Sequence, residues 1–211
     1  MIFDLTSAQI FAFLFAAVLV TLAPGPDNLA VLSLGISRGR RAGIGFGLGC
    51  ALGCFTHTLW ASLGISAVLA ASNAAFTVLK LAGAAYLCWM GWQALQSPGA
   101  KFAAGVRSAD ATPFSTYLRR GFIANAINPK VALFFLAFLP QFVGAGSAHA
   151  AAQSALLGAL FAAQTVVVFG LIGWFAGTIG GFLAQHSRRL DQATGVLFLG
   201  LGVRLALETR G

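Results

Sequence analysis

The chain has 211 residues, 58% of them hydrophobic and only 9% charged, with a formal net charge of +8. So few polar side chains cannot cover a globular surface, which argues against a soluble enzyme, a disordered tail and a secreted disulfide scaffold. The apolar residues fall in runs of about 18 or more, which call for the lipid bilayer as solvent. The chain therefore reads as an all-α integral membrane protein.

The apolar runs predict six transmembrane helices. The first spans about 8–36, broken at Pro24-Gly25-Pro26; the second about 42–71; the third about 74–96. The fourth spans about 121–142 and is interrupted at Pro129, the fifth lies within about 150–183, and the sixth spans about 193–207. The second and fifth exceed the ~20 residues needed to cross, so they must tilt, bend or protrude. The N-terminal run is too long for a signal peptide and has no Lys or Arg before it.

Basic residues occur in short bursts between the spans: Arg38, Arg40 and Arg41, then Lys101, Arg107, Arg119 and Arg120, then Arg188 and Arg189. The positive-inside rule puts these connections in the cytoplasm and both termini outside. The net charge is thus an orientation signal, and no nucleic-acid partner is expected. The loops are too short for a soluble catalytic domain, and no cofactor is implied.

A Pro/Gly/Ser-containing linker at 97–116 divides this single transporter domain into about 1–96 and about 117–211. Three spans per half make any duplicated unit inverted in the membrane, giving two inverted three-helix repeats. The first span of each half supports this, because proline stands beside Asn in both: Pro24-Gly25-Pro26-Asp27-Asn28 against Asn125-Ala126-Ile127-Asn128-Pro129-Lys130.

Proline inside a helix removes a backbone donor, and irregular backbone at membrane depth is tolerated only where it is buried in protein or lines a cavity. Both breaks carry a charge. Asp27 lies about 16 Å along a helix from Arg38, and Lys130 about 15 Å from Arg120, so both reach the midplane. Unpaired charge there would cost roughly 2.5–3.5 kcal/mol. In the functional reading, Asp27, Asn28, Asn125, Asn128 and Lys130 surround a midplane site whose carboxylate and ammonium complement a free amino acid, with protons as coupling ion. In the structural reading, an Asp27–Lys130 ion pair staples two kinked helices.

Gly45, Gly49 and Gly53, and likewise Gly173, Gly177 and Gly181, recur every four residues, the spacing that lets helix backbones approach closely. His57 continues the first of these rows, as a proton relay or as a neutral interhelical hydrogen-bonding group. Lys80 is a secondary site candidate, or simply a lysine that snorkels. Gln164 and Tyr86 read as structural polar groups, and the tryptophans as interface markers. Cys50, Cys54 and Cys88 lie inside apolar spans and read as small buried hydrophobes; no metal site is expected.

Taken together, Pro24-Gly25-Pro26-Asp27-Asn28, Ser37-Arg38-Gly39, the run Lys80–Leu87, the run Gly121–Lys130, Phe134-Phe135 and Pro140-Gln141-Phe142 make the chain resemble the LysE/RhtB amino-acid exporters over essentially its whole length. The resemblance implies a bacterial inner-membrane carrier that expels amino acids or close derivatives by exchange with protons. It is nearer the homoserine/threonine branch than the lysine branch, which implies neutral substrates of homoserine, threonine or leucine type. A homo-oligomer is compatible with this. The competing readings are export of another small solute or a metal cation, and a membrane thiol-redox protein, which would need two cysteines able to meet.

Overall fold

The computed structural model describes residues 4–71, 73–99, 112–143 and 147–207. Lys101, Arg107, Arg210 and most of the expected linker lie outside them. The described residues form helices throughout, with short irregular connections.

Helix α1, Ser7–Leu22, opens with a capping box: Thr6 Oγ1 accepts from Gln9 N, and Gln9 Oε1 accepts from Thr6 N. It stops before Pro24-Gly25-Pro26, and α2, Pro26–Arg38, restarts with proline in its first turn, where the missing N–H costs nothing. The two helices are bent by 57°. Gly39, at φ 91°, ends α2 in a backbone conformation that favours glycine. It turns the chain into α3, Arg40–Ala71, which is followed by α4, Asn73–Gln96.

The second broken pair opens with α5, Phe114–Ala126, and resumes at α6, Pro129–Leu133; the bend between Phe114–Ala126 and the segment Pro129–Phe142 is 49°. Pro129 disfavours helical geometry at Asn128, which is extended and caps α6 by accepting from Lys130 N at 3.0 Å. A wide turn at Phe134–Phe138 and a tight one at Leu139–Phe142 carry the chain onward. Helix α5 starts seven residues earlier than the sequence pattern predicts. Its first turns carry Arg119 and Arg120 on an exposed face while Tyr117 and Gly121 are buried, so apolar run length alone misses its start.

The last helical run, α7, spans Ala150–Leu207. The connection expected at about 183–193 is itself helical, since 182–193 contains neither Gly nor Pro to interrupt it. The run nevertheless reverses direction. Gly158 meets Thr58 and Gly173 meets Gly43, antiparallel to α3, whereas Gly195 meets Gly91 and Gly202 meets Cys88, antiparallel to α4. Gly99 approaches Ser187 and Arg188. A straight rod would hold positions 158 and 202 about 66 Å apart. Neither a collinear nor a hairpin arrangement of α3 and α4 fits both registers to such a rod. The fold-back lies between two apolar stretches, Ala150–Thr178 and Gln185–Leu207.

These two stretches and Arg40–Leu63 are long and apolar enough to cross a membrane, and the two bent pairs bring the total to as many as five. Glycine packing ties them together. A Cβ on Gly45 would lie 2.9 Å from the Phe114 ring and one on Gly53 2.8 Å from Asn125 Cβ, while one on Gly49 would collide with the Leu118 carbonyl. In return, a Cβ on Gly121 would collide with the Phe46 carbonyl. Gly173 sits 2.7 Å, by the same measure, from Ile44 N.

Gly177 and Gly181 correct the expected row. Both are exposed, and a Cβ on Gly181 would meet nothing within 4 Å. The face of α7 that packs on α2 and α3 runs through Phe169, Gly173, Ala176 and Gly180. Stepping by four drifts about 40° per step around a helix, so such a row follows a partner only where the helices cross along that ridge. Helix α5 crosses α3 that way; α2 and α3 do not cross α7 so.

Candidate functional site

Each break leaves backbone carbonyls without their helical partner, and side chains from elsewhere in the fold take them up. The Asn125 carbonyl would bond to the N–H of residue 129, which is proline. It accepts instead from Asn128 N at 2.8 Å and from His57 Nε2, also at 2.8 Å. A carbonyl can only accept, so the His57 hydrogen sits on Nε2. At the other break, the Ala23 carbonyl accepts from Lys130 Nζ at 2.9 Å. Asn28 Nδ2 donates to the Thr21 carbonyl. Side chains thereby satisfy backbone that has no water to turn to.

The two breaks also hold each other. Asn125 Nδ2 donates to Asp27 Oδ2 at 2.7 Å, and Lys130 Nζ donates to Asn28 Oδ1 at 3.4 Å. Asp27, Asn28, Asn125, Asn128 and Lys130 are thus brought together, all buried. Gly25 makes room for this arrangement: a Cβ there would lie 2.7 Å from Lys130 Nζ.

The Asp27–Lys130 ion pair does not form. Lys130 spends its ammonium on the Ala23 carbonyl and Asn28, and Asp27 Oδ1 has no hydrogen-bond partner. Asn125 Oδ1 and Asn128 Nδ2 are likewise buried without partners. A buried polar atom left without a partner costs about 1–3 kcal/mol, so these atoms favour a bound partner of complementary polarity.

Lys130 lies between two compartments. One is an enclosed cavity of about 10 Å³, room for about one water, lined by Asp27, Asn125, Lys130, Thr21 and Thr165 and closed by Val20, Val131, Phe161 and Phe169. The other is an open vestibule of about 560 Å³. Pro24, Gly25, Pro26, Asn128, Pro129 and Lys130 form its floor. Helix α4 contributes Tyr86, Trp89, Met90, Gln93 and Ala94, and Ser97, Gly99 and Asp191 stand at the C-terminal end of that helix. There Ser97 Oγ donates to the Asp191 carboxylate.

The remaining candidates fall outside the cluster. His57 touches it through the Asn125 carbonyl and lies against the Phe135 ring, 5.9 Å between centroids. Lys80 is remote: its Nζ donates to the Ala206 carbonyl at 3.4 Å, near the end of α7. Cys54 Sγ donates to the Cys50 carbonyl one turn earlier on α3, and Cys50, Cys54 and Cys88 are free. Among the described residues, no group of three or more His, Cys, Asp or Glu side chains is placed to hold a metal ion.

Sequence reasoning missed Thr21 and Thr165, and it gave Gln164 and the vestibule wall no part in the site. Gln164 Nε2 donates to Thr21 Oγ1 at 2.8 Å and to Thr165 Oγ1 at 2.9 Å, so it bridges α7 to α1 beside the enclosed cavity. Hydroxyls inside apolar helices usually bond to their own helix, as Thr165 does to the Phe161 carbonyl, so their sequence positions carry no signal of a cavity.

Comparison with known proteins places this geometry in a family. The LysE type translocators match residues 18–209. A membrane protein of Vibrio cholerae described only as uncharacterized is 32% identical over 92% of this chain and 95% of its own length. A homoserine/homoserine lactone efflux protein of Salmonella typhimurium is 28% identical over 93% of this chain and 95% of its own. A leucine efflux protein of an Enterobacter species is 25% identical, covering 92% and 93%. No solved structure matches the chain. With broken apolar helices, interlocked charges and a match over nearly its full length, the chain belongs to the LysE type translocators, a family of membrane transporters rather than enzymes.

Proposed function

We propose that the protein exports neutral amino acids, of homoserine, threonine or leucine type or their close derivatives, across the bacterial inner membrane in exchange for protons. The carrying observation is the unsatisfied cluster at the two breaks. Lys130 and the free Asn128 Nδ2 are donors on the vestibule floor that suit a carboxylate. Asp27 Oδ1, behind Lys130, is the acceptor left for a positive partner, the substrate's ammonium or the coupling proton. The names of the relatives from Salmonella and Enterobacter support amino-acid efflux.

In this reading six spans cross the bilayer: the two broken pairs, α3, α4 and the two limbs of α7. Residues about 1–96 and about 117–211 form inverted repeats, and both termini face outward. The fold-back of α7 supports that count, since it returns the chain to the level of its start. Export proceeds by alternating access at the crossing of the two breaks, and the vestibule is the cytoplasmic entrance.

The test is efflux from proteoliposomes loaded with a labelled amino-acid panel, with and without a pH gradient. Efflux above protein-free liposomes that rises with an opposing proton gradient is the expected result. Failure of every amino acid to leave faster than from protein-free liposomes overturns the proposal, and gradient-independent efflux overturns the proton coupling.

A further inference from the structure

We infer that the vestibule selects substrates by a large apolar side chain, and that Trp89 and Met90 on α4, with Phe198 on α7, are the residues that read it. This rests on the amino-acid export reading and narrows it. The vestibule holds about 560 Å³, within the range of sites that enclose small molecules, so it has room for the largest amino-acid side chains. Among its described lining residues the charges are Lys130 and Asp191 alone. Lys130 is committed to the floor. Asp191 is buried and one of its carboxylate oxygens is bound by the Ser97 hydroxyl, which also accepts from Gly99 N.

Between floor and rim the wall is largely apolar. Tyr86 and Trp89 lie ring against ring, 5.4 Å between centroids, next to Met90, and the buried Phe198 backs the wall from the opposite limb. Gly91 and Gly195 bring the two helices close enough for both sides to touch one ligand, since a Cβ on either would lie 2.7 Å from the other's carbonyl. Such a wall rewards each added methylene, and its polar groups for a substrate hydroxyl are Gln93 and the Tyr86 hydroxyl. A second ammonium on the substrate would meet the like charge of Lys130. Leucine, methionine and phenylalanine are therefore favoured over serine, threonine, homoserine and lysine. The flexible thioether of Met90 suits a wall that accepts several apolar shapes.

The experiment is competition against labelled leucine in proteoliposomes holding the full chain, with each unlabelled amino acid at equal concentration. Leucine, methionine and phenylalanine should compete about tenfold better than serine, homoserine or lysine. Equal or better competition by serine, homoserine or lysine overturns the inference while leaving amino-acid export standing. If no amino acid is transported at all, it is the export reading that fails.

Met90→Ala should lower the preference for leucine over alanine by about threefold or more. An equal fall for both substrates at normal membrane abundance removes Met90 from the wall. Ala94→Phe fills the vestibule from the same helix and gives an independent check. It should exclude phenylalanine and leucine before alanine, and an unchanged preference would count against the vestibule as the reading site.

Discussion

The carboxylate of Asp27, at the start of α2, accepts a hydrogen bond from Asn125 Nδ2 on α5 at 2.7 Å. One oxygen is held and the other, Oδ1, is buried without a partner. That asymmetry separates two roles that a sequence cannot separate, holding the breaks together and binding something.

Asp27→Asn should test it. An amide oxygen still accepts from Asn125, so the fold should lose no more than about 1 kcal/mol. Efflux should fall to the protein-free background. The checks are thermal unfolding in detergent and the proteoliposome assay, and normal transport would return Asp27 to a structural role.

Lys130→Met keeps the aliphatic stem and removes the donor. The Ala23 carbonyl and Asn28 Oδ1 both lose a partner, so stability should fall by about 1–3 kcal/mol along with transport. Gly25→Ala acts on the same ammonium from the other side, because the new Cβ would lie 2.7 Å from Nζ. It should impair transport with less loss of stability, as a lysine end can move.

His57→Gln should retain transport, since a glutamine amide can still donate toward the Asn125 carbonyl. His57→Leu leaves that carbonyl with Asn128 N alone and should destabilise the protein by about 1–3 kcal/mol. Loss of efflux in a stable Gln variant would instead identify His57 as a proton relay.

Helix packing gives a contrast within one residue type. Gly49→Val and Gly121→Val each drive a side chain into backbone and should abolish folded protein, read as monodisperse yield from membranes. Gly181→Ala enters open space and should leave stability unchanged or raise it by up to about 1 kcal/mol.

Replacing Cys50, Cys54 and Cys88 together with Ala should leave efflux intact. Loss of transport with normal folding would favour redox chemistry over export.

The breaks were readable from the chain because a missing N–H is a property of proline itself. Counting residues to the nearest basic cluster put Asp27 and Lys130 at similar depths, and both are buried in one cluster. The row Gly45, Gly49, Gly53 was readable for its spacing, yet the same spacing misplaced Gly177 and Gly181, because crossing angle decides which row meets a neighbour. The relation of Asp27 to Lys130 was not readable either. Opposite charges at one depth suggest a pair, but the ammonium went to a carbonyl released by the kink. The vestibule wall was invisible, since Trp89 and Met90 look like any lipid-facing or core residues until α7 folds back beside them.

The exchange of partners between the two kinks has a thermodynamic consequence. If α1 and α2 straighten, the Ala23 carbonyl swings toward its helical donor and leaves the ammonium of Lys130 on α6. If α5 and α6 straighten, the carboxylate of Asp27 loses Asn125. Straightening either kink gives up hydrogen bonds to its counterpart, so a ligand that favours one shape at the first kink biases the second. By linkage the influence must be equal in the other direction. Under the proposed exchange, two ligands that never touch act on the same movement.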